Sequence, residues 1–242
     1  MTRKLLDDCF LHDKDRMRHD DAVALILERM SPVAAVETVP LSQAHGRVLA
    51  EQYAAPHNIP AFNNAAVDGY AFAGKGLNAK QATKLEIVIR VAAGHAPERA
   101  LKKGEAARIF TGAVMPGGAD TCLMQEDAKV DGTQLVVPKG LKPGANTRLA
   151  GEDVKQGEVM LQAGQRLRPQ DVAAIASGGA GQIKVFERLR VGLISTGDEI
   201  IRPGNILGDG KVYDSNHHLL RGLLDTVGAE AVDYGVIPDE QV

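Results

Sequence analysis

The chain has 242 residues, 44 % hydrophobic and 24 % charged. That is the composition of a folded protein with room for one large domain or two ordinary ones, and it excludes wholesale disorder. With 28 Lys plus Arg against 31 Asp plus Glu, a net charge of -3 and only 4 % aromatics without a Trp, the chain lacks the basic field of a general nucleic-acid binder and a stacking platform for single strands.

The first twenty residues are polar, with Asp7, Asp8, Asp13 and Asp15 among them, and are expected to form a mobile lead-in with no secretory core. From Asp20, Val23, Ile26, Leu27 and Met30 recur at helical spacing before Pro32, which predicts an amphipathic helix. A short strand is expected over 36–41, then a helix capped by Ser42 and running through Ala50. Residues 54–140 change character. Strands are expected over 85–92, 107–110 and 121–125, with a hairpin at Asp131-Gly132, so this stretch reads as an inserted all-β domain. Gly144, Gly151, Gly157 and Gly164 suggest a row of short hairpins, and Pro169 opens a helix ended by Gly178-Gly179. Residues 1–53 and 141–183 are expected to fold together around the insertion.

Residues 184–242 read as strand (189–195), helix (capped by Asp214 or Ser215, with Leu219, Leu220, Leu223, Leu224 and Val227, ended by Gly228) and strand (231–237). This is a parallel βαβ crossover. Two parallel strands with one helix cannot cover both sheet faces, so this α/β domain is expected to be incomplete. No apolar run approaches the roughly 20 residues that span a membrane. Cys9 and Cys122 form no CxxC pair, as expected of reduced thiols in a cytoplasmic protein.

Ligands of open α/β sheets bind outside the carboxyl ends of the strands. Here that is Ser195-Thr196-Gly197-Asp198-Glu199, where small residues admit an oxyanion and the two acids suit Mg²⁺. The same residues also suit a plain turn with a helix cap. Asp68-Gly69, Thr111-Gly112 and Arg148 with Glu152 and Asp153 are further candidates, although spacing alone reads them more simply as a turn, a bend and a surface ion pair. No GxxxxGK[ST] phosphate loop and no GxSxG elbow occurs. His217 and His218 are adjacent on a helix and make a poor metal pair.

The order "FNNAAVDGYA", "RIFTGAVMPGGAD", "NTRLAGEDV", "LISTGDEI", "GDGKVYDSN" closely resembles the MoeA family of molybdopterin molybdenumtransferases, from about Asp21 to the last residue. The resemblance implies a multidomain α+β and α/β protein. An elongated segment made of 1–53 plus 141–183 would carry the β insertion 54–140, followed by 184–242 as a partial molybdopterin-binding domain. It implies insertion of molybdate into adenylylated molybdopterin with release of AMP and Mg²⁺ present, in a cytoplasmic homodimer. Molybdopterin adenylyltransferase and other proteins of molybdenum cofactor biosynthesis would be its partners, with no nucleic acid and no membrane.

Residue by residue, the resemblance assigns catalytic roles to Asp68, Thr111, Asp153 and Glu199. It assigns pterin binding to Ser195, Thr196, Gly197, Asp198, Asp239 and Arg148, and metal binding to Glu199 and Asp239. Asp68, Thr111 and Asp153 would face the pterin side from another domain, within the chain or across the dimer. Asn63 stands where the family usually has Asp, and the family's later glycine-rich pterin loop has no match, so the missing parts are expected to follow Val242. Two alternatives stay open: a dimerising scaffold without catalysis, and a Mg²⁺-dependent oxyanion-binding module.

Overall fold

The structure, a computed structural model, describes residues 17–78 and 80–239; most of the expected lead-in, and Cys9, lie outside the described residues. The chain divides into two compact units. One is Val36–Glu187, and the other is built from the flanking stretches, through Ala35 and from Arg188 onward.

In the flanking stretch, helix α1 (His19–Arg29) forms where the apolar spacing predicts it, with Asp20 and Asp21 in its first turn and Arg29 in its last. These charges suit the helix dipole. None of its residues is buried.

The larger unit begins with β1 (Val36–Pro40), β2 (Tyr53–Ala54) and β3 (Asn64–Ala65). Then come β4 (Gly69–Phe72), β5 (Thr83–Val91), β6 (Glu105–Ile109), β7 (Thr121–Met124), β8 (Lys129–Asp131) and β9 (Gln134–Val137). These six make one sheet in the order β7-β4-β6-β5-β9-β8, with only the β5–β6 pair parallel. Period-2 alternation gives the sheet two apolar faces. Ala71, Val91, Ala107, Ile109 and Cys122 pack on one, and Phe72, Leu85, Ala106, Leu123 and Leu135 on the other. Burial pushes the Cys122 thiol up to about 12, leaving it an inert core residue.

The unit ends with β10 (Thr147–Arg148), β11 (Val159–Leu161), α2 (Pro169–Ser177) and β12 (Gln182–Phe186). Two sequence expectations are corrected here. Residues 42–50 hold a single 3-10 turn, Leu41–Gln43, and then bridges at Val48 and Leu49. Leu49 is fully buried and its N–H donates to the Gln165 carbonyl, so pairing with a distant stretch overrides the local helical pattern. The expected row of hairpins also fails. Gly144, Gly151, Gly157 and Gly164 do sit in turns with positive φ, but β10 pairs with β3 and β11 with β2.

The β1–β12 pair likewise joins the two ends of the unit. Val39, Leu49, Leu161, Leu167, Ile175 and Val185 form the shared core beneath. Asp171 caps α2 by accepting from the Arg168 N–H.

Two carboxylates of this unit are held low by arginine. Arg99 donates to both oxygens of Glu105 at 2.7 and 3.1 Å and brings it to about 2. The Arg168 side chain, followed by the Arg168 backbone N–H, does the same for Asp171. A depressed folded-state value means that the contribution is present above the ordinary carboxylate range and is lost as pH falls through the folded value. Unfolding midpoints in urea are therefore expected to drop as pH goes from about 4.5 toward about 2. In an Arg99→Gln variant the drop should be smaller, and equal drops in both proteins would show that this pair carries none of it.

The remaining elements are β13 (Arg190–Thr196), β14 (Ile200–Ile201), β15 (Val212–Tyr213), α3 (Ser215–Val227) and β16 (Glu230–Ile237). β13 and β16 pair in parallel with α3 between them in sequence, as the crossover pattern predicts. Gly228 ends α3 in the left-handed region (φ 77). Leu193 is buried on β13, whereas Ile194, Tyr234, Leu219 and Leu223 stay exposed. No helix among the described residues is long and apolar enough to cross a membrane.

Candidate functional site

In the larger unit, the candidate residues flank the two-residue strand β3. On one side, Gly112 donates to the Ala65 carbonyl and Ala65 to the Ala113 carbonyl, which fixes the turn after β6. Gly112 takes φ 78 there, a conformation that favours glycine. The turn presents Thr111 to Asp68, the residue before β4. Asp68 Oδ1 accepts the Thr111 backbone N–H at 2.8 Å and its hydroxyl at 2.7 Å. These two bonds, backbone first, hold the Asp68 carboxyl below the usual range, with Arg108 adding a smaller Coulombic pull. Asp68 is therefore ionised, aimed, and left with Oδ2 unengaged among the described residues.

On the other side, Thr147 and Arg148 pair with Ala65 and Asn64. The Arg148 guanidinium engages Asp153 closely and Glu152 at 3.5 Å. Its proton is held more tightly than usual, chiefly by the Asp153 hydrogen bond. Glu152 Oε2 also accepts the Leu149 N–H. Asn63 Oδ1 accepts the Ala150 N–H at 2.8 Å. One of the two oxygens that an aspartate would supply is thus retained, and the other is lost with the charge. A cleft of about 310 Å³ opens here, lined by Asn63, Met115, Asp120, Thr147 and Glu152 among others.

In the smaller unit, the loop after β13 is tied to the end of β16. The Gly197 N–H donates to the Ile237 carbonyl, and the Asp239 N–H to Asp198 Oδ1 at 3.3 Å. Gly197 has φ 131, and a Cβ there would lie 2.6 Å from Glu199 Oε2, so the Glu199 carboxylate folds back over the glycine. Lys211 Nζ donates to the Asp198 carbonyl.

The sequence pattern marks Asp214 only as a cap. It does cap α3, accepting from the His217 N–H at 3.0 Å, and it also accepts the Ser195 hydroxyl. The Ser195 bond is the largest reason its carboxyl is held low. Arg202 joins Asp214 to Asp233, at 3.4 and 2.7 Å, and buried His217 Nε2 stands 3.7 Å from Asp233. Ser195 is thereby locked to the start of α3. The adjacent histidines diverge: His217 is buried and His218 exposed. Spacing alone carried no signal for the Arg202–Asp233 pair, because it depends on the short parallel β14–β15 contact and the β13–β16 register. Among the described residues no group of three or more His, Cys, Asp or Glu side chains is placed to hold a metal ion.

Residues 17–179 match the MoeA N-terminal region (domain I and II), and residues 192–242 match a probable molybdopterin binding domain. The chain belongs to the MoeA family. Among curated relatives, a molybdopterin molybdenumtransferase of Haemophilus influenzae is 36 % identical over 224 residues, which are 92 % of this chain and 55 % of that protein. One from a Nostoc species is 37 % identical over 206 residues, 84 % of this chain and 47 % of that one. The crystal structure of the molybdopterin biosynthesis moeA protein of Pyrococcus horikoshii OT3 superimposes with a TM-score of 0.83 at 36 % identity, covering 92 % of this chain and 60 % of that one. The chain spans about half the length of the curated relatives it matches.

Proposed function

We propose that the chain acts in molybdenum cofactor biosynthesis, within a molybdopterin molybdenumtransferase that inserts molybdate into adenylylated molybdopterin, with Mg²⁺ present and AMP released. What carries the reading is the match of residues 17–179 to the MoeA N-terminal region, the stretch in which Asp68 and Thr111 form one hydrogen-bonded unit. The reading brings with it a cytoplasmic homodimer and a molybdopterin adenylyltransferase as supplier of the substrate.

Asp68 would present a fixed negative charge through its open Oδ2, with Thr111 holding the carboxylate in place. Arg148, already paired with Asp153, would contribute donors to an anion, and Asp153 would set its orientation. Ser195, Thr196 and Gly197 would approach the pterin phosphate through small side chains and backbone, with Ser195 held by Asp214.

The two acids assigned to the metal, Glu199 and Asp239, offer only oxygen, which is the chemistry of a hard cation. Mg²⁺ commonly takes one or two carboxylates from the protein and its other oxygens from phosphate and water. Glu199 and Asp239 fit that role, and the ion would supply charge neutralisation and Lewis acidity at the phosphoanhydride. Without a cation these carboxylates would repel both anionic substrates.

The test is single-turnover AMP release with the chain in excess over adenylylated molybdopterin. Release should require both molybdate and Mg²⁺, and Glu199→Ala should slow it by about 100-fold or more. Release that is indifferent to molybdate would refute the transferase reading. Binding of the pterin without release would favour the non-catalytic scaffold.

A further inference from the structure

Arg90, Arg108 and Tyr70 stand in one cross-strand row of the six-stranded sheet, Arg90 beside Arg108 on β5 and β6 and Tyr70 opposite Arg108 on β4. The face they occupy is apolar further along, where Phe72, Ala106 and Leu85 are buried, and turns cationic at the end of β6. Phe110, the next residue after β6, carries both guanidiniums: Arg90 Cζ is 4.6 Å and Arg108 Cζ 4.5 Å from its ring centroid. The two charges are therefore at most about 9 Å apart. Arg108 also lies 5.1 Å from the Tyr70 ring.

Like charges on adjacent strands repel, so a carboxylate between them would be the ordinary arrangement. Among the described residues no carboxylate is paired with either. Arg108 donates to neutral acceptors, the Gly69 carbonyl at 2.8 Å and Gln125 Oε1 at 2.6 Å. With Asp68 it makes only a Coulombic contact, the smallest contributor to that acid's shift. Glu126 accepts from Gln125 rather than from arginine. Arg90 has no hydrogen bond or ion pair among the described residues, only the Phe110 ring. Arg47, Arg99, Arg148, Arg168 and Arg202, by contrast, each engage a carboxylate.

We propose that Arg90 and Arg108, held on Phe110, form an oxyanion-binding site beside Asp68 and Thr111, which takes a group of two or more negative charges such as a diphosphate or a tetrahedral metal oxyanion. Guanidinium forks match such oxygens, and stacking on an aromatic ring fixes their planes before the ligand arrives. Two positive charges outweigh the single one on Asp68. The link of this site to catalysis rests on the Asp68–Thr111 reading above, whereas the binding itself does not.

The test is calorimetric titration of the 242-residue chain with sodium diphosphate and, separately, with sodium molybdate. Arg90→Ala is expected to weaken binding by about tenfold and Arg90→Lys to recover only part of it. Phe110→Leu should weaken binding although both charges remain. A loss with diphosphate alone assigns the phosphate part of the substrate to this site, and a loss with molybdate alone assigns the metal oxyanion. Arg90 is exposed, so its variants are expected to melt as the parent does. If the parent binds neither anion, or if Arg90→Ala binds both as the parent does, the site does not exist. A fully active Asp68→Asn variant would sink the catalytic assignment while leaving this binding result standing.

Discussion

Asp68→Asn is expected to lower molybdate-dependent AMP release by about 100-fold while shifting the melting temperature by no more than about 2 °C. The asparagine retains a carbonyl oxygen where Oδ1 stands, so it can still accept the Thr111 N–H and hydroxyl. What it loses is the charge, which those two bonds stabilise in the folded protein, together with the open Oδ2, replaced by an amide donor. Asp68→Ala removes the acceptor as well and frees the Thr111 turn, so it should be at least as inactive and less well ordered at residues 111–113. Thr111→Val separates the contributions further, because it keeps the backbone donor and removes only the hydroxyl. An Asp68→Asn protein with parental single-turnover rates would remove Asp68 from the reaction. Equal activity of the Asn and Ala variants, both low, would assign the whole effect to the charge and its open Oδ2 and none to the bonds with Thr111.

That pairing also shows where the sequence was legible. Nothing in local spacing joins Asp68 to Thr111, 43 positions later; each reads locally as a turn or a bend, and only the order of motifs connects them. The contact exists because β4 and β6 are adjacent and antiparallel, with Gly69 opposite Ile109, so the residues just outside that pair must meet. Elements with strong periodicity were readable on their own: α1, α3 with its Asp214 cap and Gly228 end, and the strands around Asp131-Gly132.

The two-residue pairs β2–β11 and β3–β10 are too short to carry a pattern, and they draw their partners from distant stretches. The same non-local pairing undid the expected helix after Ser42. Leu41–Gln43 do turn, but Val48 and Leu49 bridge to Arg166 and Val185, where a helix would have used those backbone groups internally. The Arg90–Arg108 pair leaves no trace in the sequence for a related reason. Eighteen positions separate them, and only the β5–β6 register, with its irregularity between Ile87 and Ile89, sets them side by side.

Gly69→Ala should be the most damaging single methyl in the larger unit, costing about 3 kcal/mol and lowering its melting temperature by roughly 6–12 °C. Asp-Gly looked like a turn, where glycine supplies a left-handed φ, but Gly69 is the first residue of β4 and has no positive φ. Its constraint is space. A Cβ there would sit 1.9 Å from the Leu123 carbonyl oxygen and 2.9 Å from its carbon, with the Gln125 nitrogen at 3.2 Å. All three are backbone atoms of the neighbouring strand and its end, so no rotamer change relieves the overlap and β4 must part from β7. The displacement would reach the site as well. Asp68 is the preceding residue, its carbonyl accepts the Gln125 N–H, and the Gly69 carbonyl accepts from Arg108.

The control is Gly76→Ala, where a Cβ meets nothing within 4 Å; it should change stability by no more than about 0.5 kcal/mol. Paired thermal melts followed by circular dichroism decide the matter. If Gly69→Ala melts with Gly76→Ala, then β4 and β7 have room that the packing denies them. If Gly69→Ala melts low but keeps full AMP release at 20 °C below its midpoint, the strand is strained without moving Asp68.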